Sequence, residues 1–419
     1  MGGLHMKWMK KGAMTAILLA GLATGGMGPA AADEIKFGLL QDFTAVYTFV
    51  TGQYNQGQQD YLALINAEGG IDGHTFTAIV RDTGNQPQRG IEAYNRAKEE
   101  GAILFDFLST PVSAAMIDSV LKDQVVLMTP AHGRGDASDG TVFPYVFPSF
   151  ATYWSQAANL LEFIKEKEGG LQGKKIAIVH IDSPFGREPL VILNDLAAKE
   201  GFELKAFPYA SPGNEQSAAW SEVRRYRPDH VLIWGAGGGQ AVSVKTAIQN
   251  GIKPDQIHSV IWLAETDAAN VGPAMKGVKR FEATAAGKDH PIIQRIQEKV
   301  IAPGKGSGDA ANVGNSYYNL GVATMAIAVE AARNALAEGG GQLTGPKLKA
   351  GFEKIAGYDA EGLMPPVTIT ATDHQGGGAG RVSQWDGTAW VPVSDWHAAY
   401  QDVVRAEIEK SAAKFKAGN

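Results

Sequence analysis

The chain has 419 residues, of which 44% are hydrophobic and 20% are charged, and its formal net charge is −6. This composition supports a core of two or three domains of roughly 150 residues each, and the lack of clustered Lys and Arg argues against nucleic acid as a partner. The sequence contains zero cysteines, which excludes disulfides and thiol chemistry. Its scattered histidines indicate no metal site, and no cofactor is predicted.

The first 32 residues have the pattern of an export signal. Three lysines precede an apolar run over residues 13–28, and small residues follow up to Ala32. This order predicts a signal peptide over residues 1–32, cleaved after Ala32. A membrane anchor is the alternative, but a transmembrane helix needs about 20 apolar residues and this run is shorter. Since lipidation at the cleavage site requires a cysteine, we expect a periplasmic protein without a lipid anchor.

From residue 33 onward, short apolar runs alternate with helical patterns in two series. The first series predicts strands at residues 35–40, 76–80, 103–108 and 125–128, and the second predicts strands at residues 176–180, 202–207, 231–234 and 260–263. Helices are predicted between them, with Ser109 as an N-cap and Gly201 as a stop signal. Such series build parallel sheets with helices on both faces, so the predicted class is α/β.

Helical patterns return after the second series, at residues 291–300, 316–337 and 346–355. Too few strands accompany them for a third sheet, so we expect them to complete one of the two earlier lobes. Residues 402–415 predict an amphipathic C-terminal helix. Two α/β lobes joined by several crossovers form a hinge, and ligands bind in the cleft at the carboxyl ends of their strands.

Several residues at predicted strand ends are candidates for ligand contact. His132 follows a strand and is either a cleft residue or a solvated loop histidine. Glu265 follows the strand predicted at 260–263, where it either pairs with a ligand ammonium or lies on the surface. The glycine-rich turn at residues 235–240 resembles a dinucleotide loop, but Gln240 replaces the last glycine, so a tight turn lining the cleft is favoured.

Five segments together resemble one known family. They are residues 65–73 (Ile-Asn-Ala-Glu-Gly-Gly-Ile-Asp-Gly), 81–87, 126–131, 175–186 and 227–229. On these motifs the chain resembles the periplasmic leucine/isoleucine/valine-binding solute-binding proteins of ABC transporters. The resemblance implies two Rossmann-like lobes joined by a three-crossover hinge. We expect lobe 1 to comprise residues 33–148 and 282–365, and lobe 2 to comprise residues 149–281 and 366–419.

The resemblance also implies the roles of site residues. The serine turn and the Thr-Pro-Ala loop would hold one polar end of the ligand, aromatic side chains would cover it, and Glu265 would bind an amino group. The predicted ligand-binding residues are Tyr47, Phe107, Ser109, Thr110, Ala131, His132, Gly133, Phe185, Ala236 and Glu265.

The function implied is that of the periplasmic substrate-binding component of an ABC importer. It would be a monomer that captures a small amino acid, amine or aromatic acid and delivers it to an ABC permease in the inner membrane, with no enzymatic activity. A ligand-sensing module for a membrane kinase or chemoreceptor is the alternative. An exported enzyme using Asp106 and Glu265 as acid and base is a third hypothesis.

Overall fold

The computed structural model describes residues 33–339 and 341–418, so the signal peptide predicted over residues 1–32 lies outside the described residues. The strands are β1 (Glu34–Gln41), β2 (Thr75–Asp82), β3 (Ala102–Asp106), β4 (Val126–Met128), β5 (Val146–Phe147), β6 (Lys175–Ile181), β7 (Glu203–Tyr209), β8 (His230–Trp234), β9 (Ile257–Ser259), β10 (Lys279–Glu282), β11 (Arg381–Trp385) and β12 (Trp390–Pro392). The helices are α1 (Thr48–Ala67), α2 (Pro87–Glu99), α3 (Thr110–Asp123), α4 (Tyr153–Glu168), α5 (Pro184–Arg187), α6 (Leu190–Glu200), α7 (Ser217–Tyr226), α8 (Gly238–Gln249), α9 (Glu265–Val271), α10 (Pro291–Ile296), α11 (Ser316–Ala337), α12 (Gly345–Phe352) and α13 (Gln401–Lys416).

Lobe 1 is built on a parallel sheet with the strand order β2-β1-β3-β4-β5. Helices α1 and α11 pack against each other at very short range, because both carry glycine at the contact. A Cβ on Gly57 would lie 2.2 Å from the carbonyl oxygen of Tyr318, and a Cβ on Gly321 would lie 2.1 Å from that of Tyr54. Although α11 is long and apolar enough to cross a membrane, most of it is buried in this lobe.

Lobe 2 is built on a seven-stranded sheet with the order β12-β11-β10-β9-β8-β6-β7. Strands β6 to β10 are parallel, whereas β11 and β12 join antiparallel at one edge. The prediction of a strand at residues 260–263 is wrong, because β9 ends at Ser259 and the apolar run that follows is a buried loop. A short apolar run fits a buried loop as well as a buried strand, because burial alone selects apolar residues in both.

The chain passes between the lobes three times: after β5, after β10, and between α12 and β11. The C-terminal helix α13 buries Val404, Ile408 and Ala412, which confirms the predicted amphipathic face. It packs on α4 and α6 of lobe 2, and the ring of Phe415 lies 4.6 Å from that of Phe143 in lobe 1. The last helix therefore contacts both lobes.

Candidate ligand-binding site

A cavity of about 310 Å³ lies between the two lobes. Lobe 1 contributes residues that follow β1, β3 and β4, and lobe 2 contributes residues that follow β5, β6, β8 and β9. The lining residues are Tyr47, Val50, Leu108, Thr110 and His132 from lobe 1, and Tyr153, Phe185, Ala236 and Trp262 from lobe 2. This volume includes space that is open to solvent, and the interior that a water molecule can enter is only about 20 Å³.

The loop that carries Tyr47 is held by one buried carboxylate. Asp42 follows β1, and its side chain accepts hydrogen bonds from the backbone N–H groups of residues 44–47, at 2.8 to 3.2 Å. These bonds start α1 with Tyr47 and Val50 toward the cavity. Burial raises the pKa of the Tyr47 hydroxyl, so the ring presents a neutral polar tip.

A second buried carboxylate shapes the turn after β3. Asp106 accepts hydrogen bonds from the hydroxyl of Tyr54 at 2.7 Å and the amide of Gln58 at 2.8 Å. Its other oxygen accepts from the N–H of Leu108 at 2.9 Å, and Leu108 has a left-handed φ of 45°. This bond stabilises a backbone conformation that is unfavourable for leucine, and it places Leu108 in the wall of the cavity.

The start of α3 brings Thr110 to the same wall. Ser109 is the N-cap, and its hydroxyl accepts a hydrogen bond from the N–H of Val112 at 3.3 Å, as the sequence predicts. The hydroxyl of Thr110 accepts from the N–H of Gly133 at 3.3 Å. This bond joins the α3 turn to the loop after β4, where His132 lies.

His132 is buried, with 2% of its surface exposed. Its Nδ1 lies 3.0 Å from the carbonyl oxygen of Pro130, which can only accept, so the ring donates from Nδ1. Its Nε2 lies 3.5 Å from the hydroxyl of Ser113. Burial lowers the pKa of His132, and the negative charge of Asp106 partly opposes that change.

Lobe 2 contributes most of the aromatic surface. The rings of Tyr153 and Phe185 have centroids 5.0 Å apart at an angle of 46°, and the indole Nε1 of Trp262 donates to the hydroxyl of Tyr153 at 2.7 Å. Ala236 lines the remaining part, in the turn between β8 and α8. This side of the cavity is therefore mainly aromatic, and the indole N–H of Trp262 and the hydroxyl of Tyr153 are paired to each other.

Residues 34–389 of this chain match the family model described as periplasmic binding protein. The chain belongs to this family. A solved structure similar to it is that of an ABC transporter permease from the Pseudomonas fluorescens group, with a TM-score of 0.84 and 38% identity over 91% of this chain and 97% of that chain. Another is a branched chain amino acid ABC transporter from Thermus thermophilus with bound valine, with a TM-score of 0.79 and 20% identity over 90% of this chain and 99% of that chain.

Among curated relatives, the chain is 23% identical over 197 residues to Leu/Ile/Val-binding protein homolog 3 of Brucella melitensis. That alignment covers 47% of this chain and 53% of the relative, so the chain spans about half the length of that protein. The chain is therefore a member of the periplasmic binding protein family, and the similarity to the Thermus thermophilus structure supports the predicted two-lobed fold.

Half of the residues predicted for the site line the cavity of this binding protein: Tyr47, Thr110, His132, Phe185 and Ala236. The other five do not. Ser109 caps α3, the carbonyl of Ala131 accepts from Gln156 at 3.0 Å, and Gly133 donates to the Thr110 hydroxyl. Phe107, which follows β3, is buried in a hydrophobic cluster with residues of α2 and α3.

Glu265 lies outside the cavity lining and is engaged elsewhere. Its carboxylate accepts from the hydroxyl of Ser316 at 2.6 Å and from the N–H of Ser316 at 3.3 Å. The buried Arg280 also donates to that hydroxyl, at 2.6 Å. Since Ser316 begins α11 of lobe 1, the carboxylate of Glu265 joins the two lobes beside the cavity.

The lining residues that the sequence did not single out are Val50, Leu108, Tyr153 and Trp262. Tyr153 begins the first helix after the crossover at β5, a position that the helical pattern does not mark. Trp262 lies in the run predicted as a strand. A cavity position for Trp262 could be predicted only if that run were assigned as the loop that follows a strand.

In the part of the chain that the structure describes, no group of three or more His, Asp and Glu side chains is arranged to hold a metal ion.

Proposed function

We propose that this protein captures a small aromatic carboxylate in the cavity between its lobes and delivers it to an ABC permease in the inner membrane. The observation that carries the proposal is the lining of the cavity. In the part of the chain that the structure describes, this lining combines four aromatic rings with one ionisable cation, His132, and no acidic residue. The rings offer flat apolar surface to a planar ligand. His132 and Thr110 are the polar groups that would meet its carboxylate.

An α-amino acid fits this lining poorly. Its ammonium group would need a carboxylate or several acceptors, because an unpaired buried ammonium costs several kcal/mol. The sequence favoured Glu265 for that role, but its carboxylate accepts two hydrogen bonds from Ser316 and lies outside the lining. The buried Asp106 is likewise satisfied by Tyr54, Gln58 and Leu108. The described site therefore favours a carboxylate without an α-ammonium.

The proposed mechanism is hinge closure. Because each lobe supplies part of the lining, a ligand that contacts both lobes stabilises the closed arrangement over the open one. The permease would then recognise the closed form. We further propose that the protein is exported to the periplasm by its predicted signal peptide, acts there as a monomer, and performs no bond chemistry.

A pair of ligands that differ by one group tests the proposal. 3-Phenylpropionate is L-phenylalanine without its ammonium, so the pair isolates the cost of burying that charge. Isothermal titration calorimetry of the purified protein should give binding of 3-phenylpropionate at least about 100-fold tighter than that of L-phenylalanine. Equal affinities, or preference for the amino acid, would refute the proposed ligand class.

A matched pair of variants locates the binding. Phe185→Ala removes a lining ring, whereas Phe43→Ala removes a half-buried ring of the first loop that does not line the cavity. We expect the first to weaken 3-phenylpropionate binding by about tenfold or more and the second to leave it unchanged. Loss of 3-phenylpropionate uptake on deletion of the gene would support transport over sensing.

A further inference from the structure

Among the described residues that line the cavity, His132 is the one that can carry a positive charge. The other ionisable groups of the lining are the phenols of Tyr47 and Tyr153, and burial raises the pKa of both, so they stay neutral at physiological pH. The net charge of this part of the site is therefore set by the protonation state of a single imidazole.

The geometry leaves one nitrogen of that imidazole free to titrate. Nδ1 keeps its proton because it donates to the carbonyl of Pro130. Nε2 faces only a long contact to the Ser113 hydroxyl, at 3.5 Å. Protonation of Nε2 therefore decides whether His132 is neutral or cationic, and His132 is part of the cavity wall.

Two opposing effects act on that nitrogen. Burial disfavours the charged ring, and Asp106 favours it. Burial is the larger effect, so the pKa of His132 lies below its ordinary value of 6.5 and the ring of the empty site is neutral at pH 7. A bound carboxylate adds a second negative charge next to the ring, which raises the pKa again.

We propose that His132 takes up one proton from solution when a carboxylate ligand binds, so that the ligand is held as an ion pair with the imidazolium. The ligand class in this inference rests on the proposed function. The proton comes from water or buffer and binds Nε2, and no other bond forms or breaks. Asp106, whose carboxylate accepts from Tyr54, Gln58 and Leu108, stabilises the charged state of the ring electrostatically.

Other groups near the site need a control. Glu188 interacts electrostatically with Tyr153, and its own buried carboxyl has a pKa raised to about 8 by burial and by Asp136. Protons that Glu188 gains or loses as the lobes close would accompany any ligand. A neutral ligand of the same shape, 3-phenylpropanamide, therefore separates the two sources.

The test is calorimetry of the purified full chain in phosphate and in Tris at pH 7, two buffers of different ionisation enthalpy. We expect 3-phenylpropionate to take up about one proton more than 3-phenylpropanamide does. Between pH 6.5 and 8, the affinity for the carboxylate should fall by up to about tenfold per pH unit, while that for the amide varies far less. His132→Gln should abolish the extra proton, and His290→Gln, at a site outside the cavity, should keep it.

Each outcome is decisive. The inference is overturned if 3-phenylpropionate and 3-phenylpropanamide take up the same number of protons on binding. It is also overturned if His132→Gln still takes up the additional proton with 3-phenylpropionate. Both results leave the proposed function standing. If His132→Gln does not fold, the comparison of the two ligands on the unmodified protein still decides. If 3-phenylpropionate does not bind at all, the proposed function fails together with the inference.

Discussion

Glu188 is a carboxyl group enclosed at the contact between the lobes. It lies between α5 and α6 of lobe 2, and its Oε2 accepts a hydrogen bond from the N–H of Gly135 in lobe 1, at 3.3 Å. Burial raises its pKa from 4.5 to about 8, with a further contribution from Asp136, while Arg134 opposes the change. We predict that Glu188→Gln stabilises the protein at pH 8, because the amide can still accept from Gly135 and carries no charge.

The sign and size of this effect follow from the two pKa values. In the unfolded chain Glu188 loses its proton above about pH 4.5, whereas in the folded protein it keeps that proton up to about pH 8. Stability therefore falls as the pH rises through this window, and the loss is complete above it. At about 1.4 kcal/mol per pH unit, the window from pH 4.5 to 8 sets a limit of roughly 5 kcal/mol. Although the carboxyl is enclosed, Glu188 as a whole residue is only half-buried, so solvent screening reduces the expected effect to about 2 kcal/mol.

Urea unfolding of the two proteins at pH 4.5, 6 and 8 measures the difference. It should be close to zero at pH 4.5 and largest at pH 8. Glu166→Gln, at an exposed position on α4, is the matched control and should give no such trend. A stability difference for Glu188→Gln that is independent of pH, or that has the opposite sign at pH 8, would contradict the reasoning.

Three further predictions concern packing and the site. In α1, Gly57→Ala should cost roughly 3 kcal/mol in urea unfolding because its Cβ would collide with the backbone of α11; Gly52→Ala in the same helix, with open space around it, should stabilise by up to about 1 kcal/mol. Trp262→Phe removes the donor to the Tyr153 hydroxyl and should weaken 3-phenylpropionate binding about tenfold in calorimetry. Glu265→Gln weakens a contact between the lobes, so it should lower the melting temperature and weaken the binding of 3-phenylpropionate and L-phenylalanine by the same factor, whereas a Glu265 that binds an ammonium would change only the affinity for L-phenylalanine.

Much of the fold could be predicted from local signals. Helix ends were marked by glycines such as Gly201, and the N-cap at Ser109 was marked by its own side chain and the following proline. The antiparallel edge formed by β11 and β12 carried no such signal, because pairing with β10 depends on a contact about 100 residues distant in the chain. Non-local pairing is a property of the packed sheet and leaves little trace in a short window of sequence.

Site residues that follow strand ends could be predicted from the sequence. Residues whose role depends on their hydrogen-bond partners could not. Tyr47, His132 and Phe185 follow strands, and the topology alone brings them to the cleft. The position of Glu265 suggested a ligand carboxylate, but a hydrogen bond to Ser316, 51 residues away, uses its oxygens. Phe107 illustrates a different limit: Leu108 lines the cavity in a left-handed conformation held by Asp106, while Phe107 enters the core, and no local pattern indicates that turn.

The most direct measurement is a calorimetric titration of the purified protein with 3-phenylpropionate and L-phenylalanine under identical conditions. We predict saturable 1:1 binding of the carboxylate and at least about 100-fold weaker binding of the amino acid, because none of the described residues that line the cavity is an acid that could receive an ammonium. Tight binding of L-phenylalanine, with the carboxylate equal or weaker, would contradict a site built for carboxylates without an α-ammonium.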